Sequence, residues 1–238
     1  MKANSETLGG ITLSGQDYRI GLIHVTMNSV QPILEAFQIH APQVTLVNFM
    51  DESLIFELNE TGIVTKSMAR RLLNLVEKAV MSSVDGILLT CSSFTPVVAE
   101  ISHLFDVPIL SADLSMLERA VDMGTRIGVI ATIEAAGPTT TTILEEISSK
   151  RQKDVTIKTV IIPEAFKALQ NGERTKHDEL IHQKALELMI DCDVILFAQF
   201  SMARALETLD FSTTPILTSP EISVKSIVAE ISKREIAK

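Results

Sequence analysis

Two stretches decide the fold: RIGLIHV at residues 19–25 and RIGVIAT at residues 126–132. Each opens on Arg-Ile-Gly and continues as a short apolar run, and they stand 107 residues apart. That offset recurs. DGILLTC (Asp85–Cys91) matches DVILFAQ (Asp193–Gln199) at 108, and PILSAD from Pro108 matches PILTSP from Pro215 at 107. Pro32 and Pro138, just inside the helix after each first strand, agree within two residues. Ordered matches at one offset mean that the chain contains one half-molecule written twice.

Within each copy, short β-rich runs alternate with helical stretches. The first has strands over Arg19–Val25, Val44–Met50, Gly86–Thr90 and Val107–Leu110; the second over Ile127–Ala131, Thr156–Ile162, Val194–Ala198 and Ile216–Thr218. Such runs read as strands of a parallel sheet buried on both faces. Val64, Met68, Leu72, Leu75, Val76 and Ala79 recur at helical spacing, and a second helix spans roughly Lys176–Ile190. Val224, Ile227, Val228 and Ile231 share one face of a closing helix. The expected fold is α/β: two similar flavodoxin-like or Rossmann-like parallel-sheet halves related by pseudo-two-fold symmetry, with a ligand cleft between them. Residues 17–112, joined by the C-terminal helix at about 221–238, form the first half, and 113–220 the second.

Composition narrows the function. The 238 residues are 46% apolar and 21% charged, as in an average globular chain. A net charge of −9 argues against nucleic acid or an anionic membrane as partner. Apolar runs such as Ile87–Leu89 and Val194–Ala198 fall far short of a membrane span. The N-terminal MKANSETLGG lacks the apolar stretch of a secretory signal. A soluble, cytoplasmic protein is expected. Two Cys make neither a disulfide scaffold nor a zinc-type spacing, and His177 and His182, five apart, do not suit a shared metal. Neither Gly-rich phosphate-binding pattern is present, so no nucleotide cofactor is implied.

Parallel sheets bind ligands at the carboxyl ends of their strands. Those loops carry His24 through Ser29, Asp51-Glu52 and Cys91 through Pro96 in the first half. In the second they carry Thr132 through Gly137, Pro163-Glu164 and Gln199 through Met202. Cys91 stands where a strand gives way to a helix, with Thr95 as N-cap and Pro96 in the first turn. Free N–H groups and the helix dipole there lower a thiol pKa toward neutrality, which suits an acid/base or nucleophile. The competing reading is a small buried Cys closing a strand. Ser92 and Ser93 either bind a ligand or cap the helix. Thr26 and Asn28 either close the cleft or only turn the chain. His24 reads as a core histidine; Glu134 and Glu164 read as solvated carboxylates near the cleft, Glu134 also as a reader of an amino group. Met27, Phe94, Phe200 and Met202 read as core or as an apolar pocket wall. Cys192 precedes its strand, roughly 20 Å from Gln199 at ~3.3 Å per residue, and reads as packing.

With the repeat, TCSSFTP around Cys91, GVIAT before Thr132 and PILSAD, the chain resembles the aspartate/glutamate/hydantoin racemase superfamily from about Arg19 to its C-terminus. The resemblance implies a homo-oligomeric, cofactor-independent isomerase, without pyridoxal phosphate or metal, acting at the α-carbon of a small carboxylate. Two cysteines, one per half, would face that carbon. Cys91 matches the first; Gln199, which does not titrate, stands at the second. The implied site is Cys91 and Gln199 as the catalytic pair, with Ser92, Ser93 and Thr132 gripping the carboxylate and Thr26, Asn28 and Ser201 around the substrate. Two alternatives stay open: a single-cysteine decarboxylase of the arylmalonate type, and a small-carboxylate binding protein without turnover.

Overall fold

The computed structural model describes residues 17–208 and 214–236. The N-terminal segment read for a signal lies outside the described residues, as do residues 209–213 and the last two residues assigned to the closing helix. Among the described residues there are eight strands: β1 Arg19–His24, β2 Thr45–Met50, β3 Gly86–Leu89, β4 Ile109–Ser111, β5 Arg126–Ala131, β6 Thr156–Ile161, β7 Val194–Phe197 and β8 Ile216–Thr218. The helices are α1 Val30–His40, α2 Ser53–Thr61, α3 Lys66–Met81, α4 Thr95–Ile101, α5 Leu114–Met123, α6 Ala136–Lys150, α7 Pro163–Gln170, α8 Arg174–Met189 and α9 Ser219–Ile236. Two parallel sheets result, ordered β2-β1-β3-β4 and β6-β5-β7-β8. The second repeats the first.

The repeated residues have mechanical reasons. Asp85 accepts the Arg19 backbone N–H at 2.7 Å, and Asp193 accepts that of Arg126 at 2.9 Å. In each copy the Asp before the third strand pins the start of the first. The Gly of each Arg-Ile-Gly lets a helix approach the sheet. A Cβ at Gly21 would lie 3.1 Å from Ala79 Cβ of α3, and one at Gly128 3.1 Å from Cys192 Sγ just after α8. Cys192 is buried there as packing.

Burial on both faces holds for the inner strands β1, β3, β5 and β7, except for the opening Arg19 and Arg126. It fails for β2 and β6, whose residues are exposed or half-buried. Both stand at a sheet edge, with one flank unpaired. The closing helix α9 covers one face of the first sheet, where Val224, Ile227 and Ile231 are buried with Ile20, Leu22 and Leu88. The other face continues into the second half as one core, joining Ile23 and Leu89 to Val129 and Leu196. That continuity brings the two sets of strand-end loops together.

Candidate active site

β3 ends at Leu89, and a single 3-10 turn, Ser92–Phe94, follows before α4. Cys91 occupies the N-cap position of that turn in an extended conformation. Thr95 does not cap the helix as expected: its hydroxyl donates to Asp113 Oδ1 at 2.6 Å. The helix starts one residue earlier than expected, at Thr95, with Phe94 in the N-cap position.

Cys91 faces a narrow, partly enclosed cavity of about 20 Å³, room for about one water. Thr26, Asn28, Ser92, Gln199 and Ser201 also line it, so the two strand-end loop sets do converge. Thr132 stands behind Gln199. Its backbone N–H donates to Gln199 Oε1 at 2.8 Å and its hydroxyl at 3.1 Å. A backbone N–H can only donate, so the amide orientation is fixed and Nε2 points away from Thr132. Nε2 is buried and makes no hydrogen bond among the described residues; the same is true of Ser92 Oγ. Ser93 also lines a separate, larger groove, although its hydroxyl reaches the Cys91 thiol, and Glu134 lines that groove too.

Electrostatics at Cys91 run against the sequence expectation. Burial pushes its thiol up to about 11, helped by the nearby Asp113 carboxylate, while the Ser93 and Phe94 backbone N–H groups pull the other way. The helix-start donors are present, but desolvation outweighs them. Residues of the second half, Ile133 and Phe166 among them, close over the site. Burial likewise lifts Asp113 to about 6, against the hydroxyl of Thr95.

Sequence reasoning missed several wall residues. Ser29 and Thr90 line the cavity, and Asp113 sits behind it. Asp113 was visible as the last residue of PILSAD, since it too follows a strand. Of the apolar candidates, Phe200 lines the cavity, Phe94 and Met202 are buried core, and Met27 is exposed. His24 is fully buried and bonded on both sides: Nδ1 lies 2.9 Å from Thr90 Oγ1 and Nε2 2.9 Å from Asn48 Oδ1. His177 and His182 belong to another part of the fold, bonded to Asp178 and to the Ala205 carbonyl. Among the described residues no group of three or more His, Cys, Asp or Glu is placed to hold a metal, and no helix is long and apolar enough to cross a membrane.

Solved structures share this architecture. A glutamate racemase isoform from Bacillus anthracis superposes with TM-score 0.70 at 11% identity, covering 91% of this chain and 82% of that one. An aspartate racemase homologue from Pyrococcus horikoshii gives 0.65 at 14%, covering 90% and 99%. Allantoin racemase from Klebsiella pneumoniae gives 0.63 at 14%, covering 91% and 88%. Comparison with curated protein sequences returns no match. Paired parallel sheets with strand-end loops meeting in one cavity define a two-domain α/β protein of the racemase fold. The family model described as Asp/Glu/hydantoin racemase matches residues 20–227, and the chain belongs to that family of isomerases.

Proposed function

We propose that this protein is a cofactor-independent isomerase working at the α-carbon of a small carboxylate, with Cys91 as acid/base and Gln199 as a fixed hydrogen-bond donor. One observation carries the reading: Gln199, held by Thr132 through Oε1, turns its free amide N–H groups away from Thr132 in the cavity that contains the Cys91 thiol. An α-proton beside a carboxylate is a very weak acid. Its removal builds charge on the carboxylate oxygens, and a donor already in place stabilises that charge without reorganising. Ser92 offers a second free hydroxyl at the same wall.

A cavity of about 20 Å³ cannot hold such a substrate, since ligand pockets run to roughly 300–1,000 Å³. The halves therefore part to admit it and close to exclude water. Opening also hydrates Cys91, which eases formation of its thiolate. A single titrating thiol at the cavity equally suits the arylmalonate-type decarboxylase, in which one thiol protonates an enediolate left by CO₂.

The test is deuterium wash-in by mass spectrometry, with D- and L-amino acids, hydantoins and substituted malonates in D₂O. Exchange at the α-position that disappears in Cys91→Ala supports the isomerase; loss of CO₂ from a malonate supports the decarboxylase. Exchange that persists in Cys91→Ala removes the cysteine from the mechanism.

A further inference from the structure

Strands β3 and β4 run parallel with Leu89 paired to Ser111, and two residues beyond that pair stand Cys91 and Asp113. Cys91 is still extended, at φ −130° and ψ 116°, so the alternation of the strand carries through it. Side chains alternate along a strand, and neighbouring strands lie about 4.8 Å apart, so the thiol and the carboxyl leave the sheet side by side on one face. Packing agrees: Leu89 and Cys91 belong to the core shared with the second half, Leu88 and Ala112 to the core under α9. An Asp just before a helix ordinarily caps it. Asp113 precedes α5 and makes no such bond. Its Oδ1 accepts the Thr95 hydroxyl at 2.6 Å, while Oδ2 is buried without a hydrogen bond among the described residues. A bare carboxylate oxygen there is costly, and a proton satisfies it.

The second half has no such couple. Its register pairs Phe197 with Thr218, and two residues on stand Gln199 and Pro220, neither of which titrates. Among the described residues lining the cavity, Cys91 alone does. We propose that Cys91 and Asp113 are a one-sided proton-handling pair: Asp113 accepts the proton that Cys91 sheds, and the thiolate so formed serves a single face of the substrate. The inference deepens the isomerase reading and rests on it. The Cys91 S–H bond breaks, its electron pair stays on Sγ, and the proton bonds to Asp113 Oδ2. The thiolate then takes the α-proton, re-forming S–H and leaving the charge on the substrate as an enediolate. A proton returned by Cys91 arrives on the face it left. Asp113 touches no substrate; it is a positioning residue that acts through Cys91.

Water can take the thiol proton while the halves are parted; once they close, Asp113 is the acceptor that stays. Ionising Cys91 beside an ionised Asp113 buries two negative charges, and moving the proton between them avoids the second. Burial lifts Asp113 to about 6, opposed by the Thr95 hydroxyl. Asp113 must be ionised to accept, so exchange should fall as pH drops through about 6. Other charged groups on the surrounding elements are paired or face outward. Glu230 of α9 pairs with Arg234, Glu100 of α4 and Glu118 and Arg119 of α5 are exposed, and so are His103, Glu134, Glu146 and Lys150 along the outer groove. His24 is bonded to Thr90 and Asn48.

The experiment follows wash-in from about pH 5 to 9 on single enantiomers of the panel, in the wild type, Asp113→Asn, Thr95→Val and Cys91→Ala. Alkylation of Cys91 by iodoacetamide is timed in the first three. Deuterium should enter with retention, at least about tenfold faster than the opposite enantiomer appears. Asp113→Asn keeps an oxygen for Thr95 but should lose the acid limb and exchange roughly tenfold or more slowly at pH 7. Its alkylation profile should nevertheless move to lower pH, because the neighbouring charge is gone. A thiol made more reactive in a slower enzyme is not what a packing defect produces. Thr95→Val lacks the hydroxyl that lowers Asp113, so its acid limb should move up in pH. An acid limb unchanged in Asp113→Asn, which would hand it to another group such as His24, overturns the inference. So does an unmoved alkylation profile, which needs no turnover, or an opposite enantiomer formed as fast as deuterium enters. Exchange surviving Cys91→Ala strikes the acid/base reading itself; exchange lost there, with the limb unmoved in Asp113→Asn, strikes this inference alone.

Discussion

Thr132 holds Gln199 by two donors on one oxygen, the backbone N–H at 2.8 Å and the hydroxyl at 3.1 Å. The amide is thereby aimed by the backbone of the neighbouring loop in the same half, and only secondarily by a side chain. Gln199→Leu keeps much of the shape but removes the donor, and should lower kcat by about 10²-fold, the usual cost of one oxyanion-type donor. Thr132→Val leaves the backbone N–H in place and should cost less than about tenfold. Steady-state exchange rates for the two variants check this. Equal losses would mean that Gln199 acts through packing.

Cys91 should be sluggish in the ligand-free protein. With its thiol pushed up to about 11, iodoacetamide should label it slowly at pH 7 and faster with each step in pH, without a plateau below about pH 10. Stability should move the other way. The unfolded thiol ionises near its ordinary value of 9.0 and the folded one about two units later, so alkali favours the unfolded chain. Relative to Cys91→Ala, the wild type should lose on the order of 2–3 kcal/mol between pH 9 and 11. Urea unfolding of both across that range is the measurement; parallel curves would place the thiol in a wetter setting.

That reversal marks where sequence stops being informative about this site. TCSSFTP shows a strand, a thiol and a helix start, and with them the N–H groups of Ser93 and Phe94. It does not show Ile133 and Phe166 arriving from the other half to exclude water, and desolvation is what sets the thiol. Ser29 and Thr90 were passed over for a related reason. Each lies one residue from a position that was chosen, and which of two neighbours faces a cavity depends on local backbone geometry. Gln199 and Thr132 were legible as strand-end residues from the repeat, and as site candidates only through the family resemblance.

Asp113 gives an independent check on burial behind the cavity. Its carboxyl is raised to about 6 from 3.8, so as pH rises the unfolded chain ionises first and the folded state loses stability between about pH 4 and 6. Asp113→Asn cannot ionise, and Thr95 can still donate to its carbonyl. Across that window the variant should gain on the order of 2–3 kcal/mol relative to the wild type. Denaturant titrations at pH 4 and pH 7 measure the difference. If the gap between the two proteins stays constant, Asp113 is hydrated in solution.

The fold was more legible than the site because the repeated residues are those whose geometry tolerates no substitute. Arg-Ile-Gly and the later Asp recur where a carboxylate pins a strand and a glycine admits a helix. The edge strands were misjudged as buried although the polar residues were in plain view. Asn48 in β2 and Lys158 and Thr159 in β6 interrupt the apolar runs, as a partly solvated edge allows and a buried strand does not.

Gly128 and Cys192 offer the sharpest test of that close approach. A Cβ at Gly128 would stand 3.1 Å from Cys192 Sγ and 3.2 Å from both Ile195 Cγ1 and Leu188 Cδ1, so Gly128→Ala overpacks the junction of β5 with α8. Overpacking of this kind costs about 1–3 kcal/mol. Cys192→Ala should cost about 1 kcal/mol by leaving a small void, with α-proton exchange unchanged. The double variant should be more stable than the sum of the two predicts, by at least about 0.5 kcal/mol, because removing Sγ frees the space that the new methyl needs. Additive losses in urea unfolding would show that Leu188 and Ile195, and not the sulfur, set the limit at this contact.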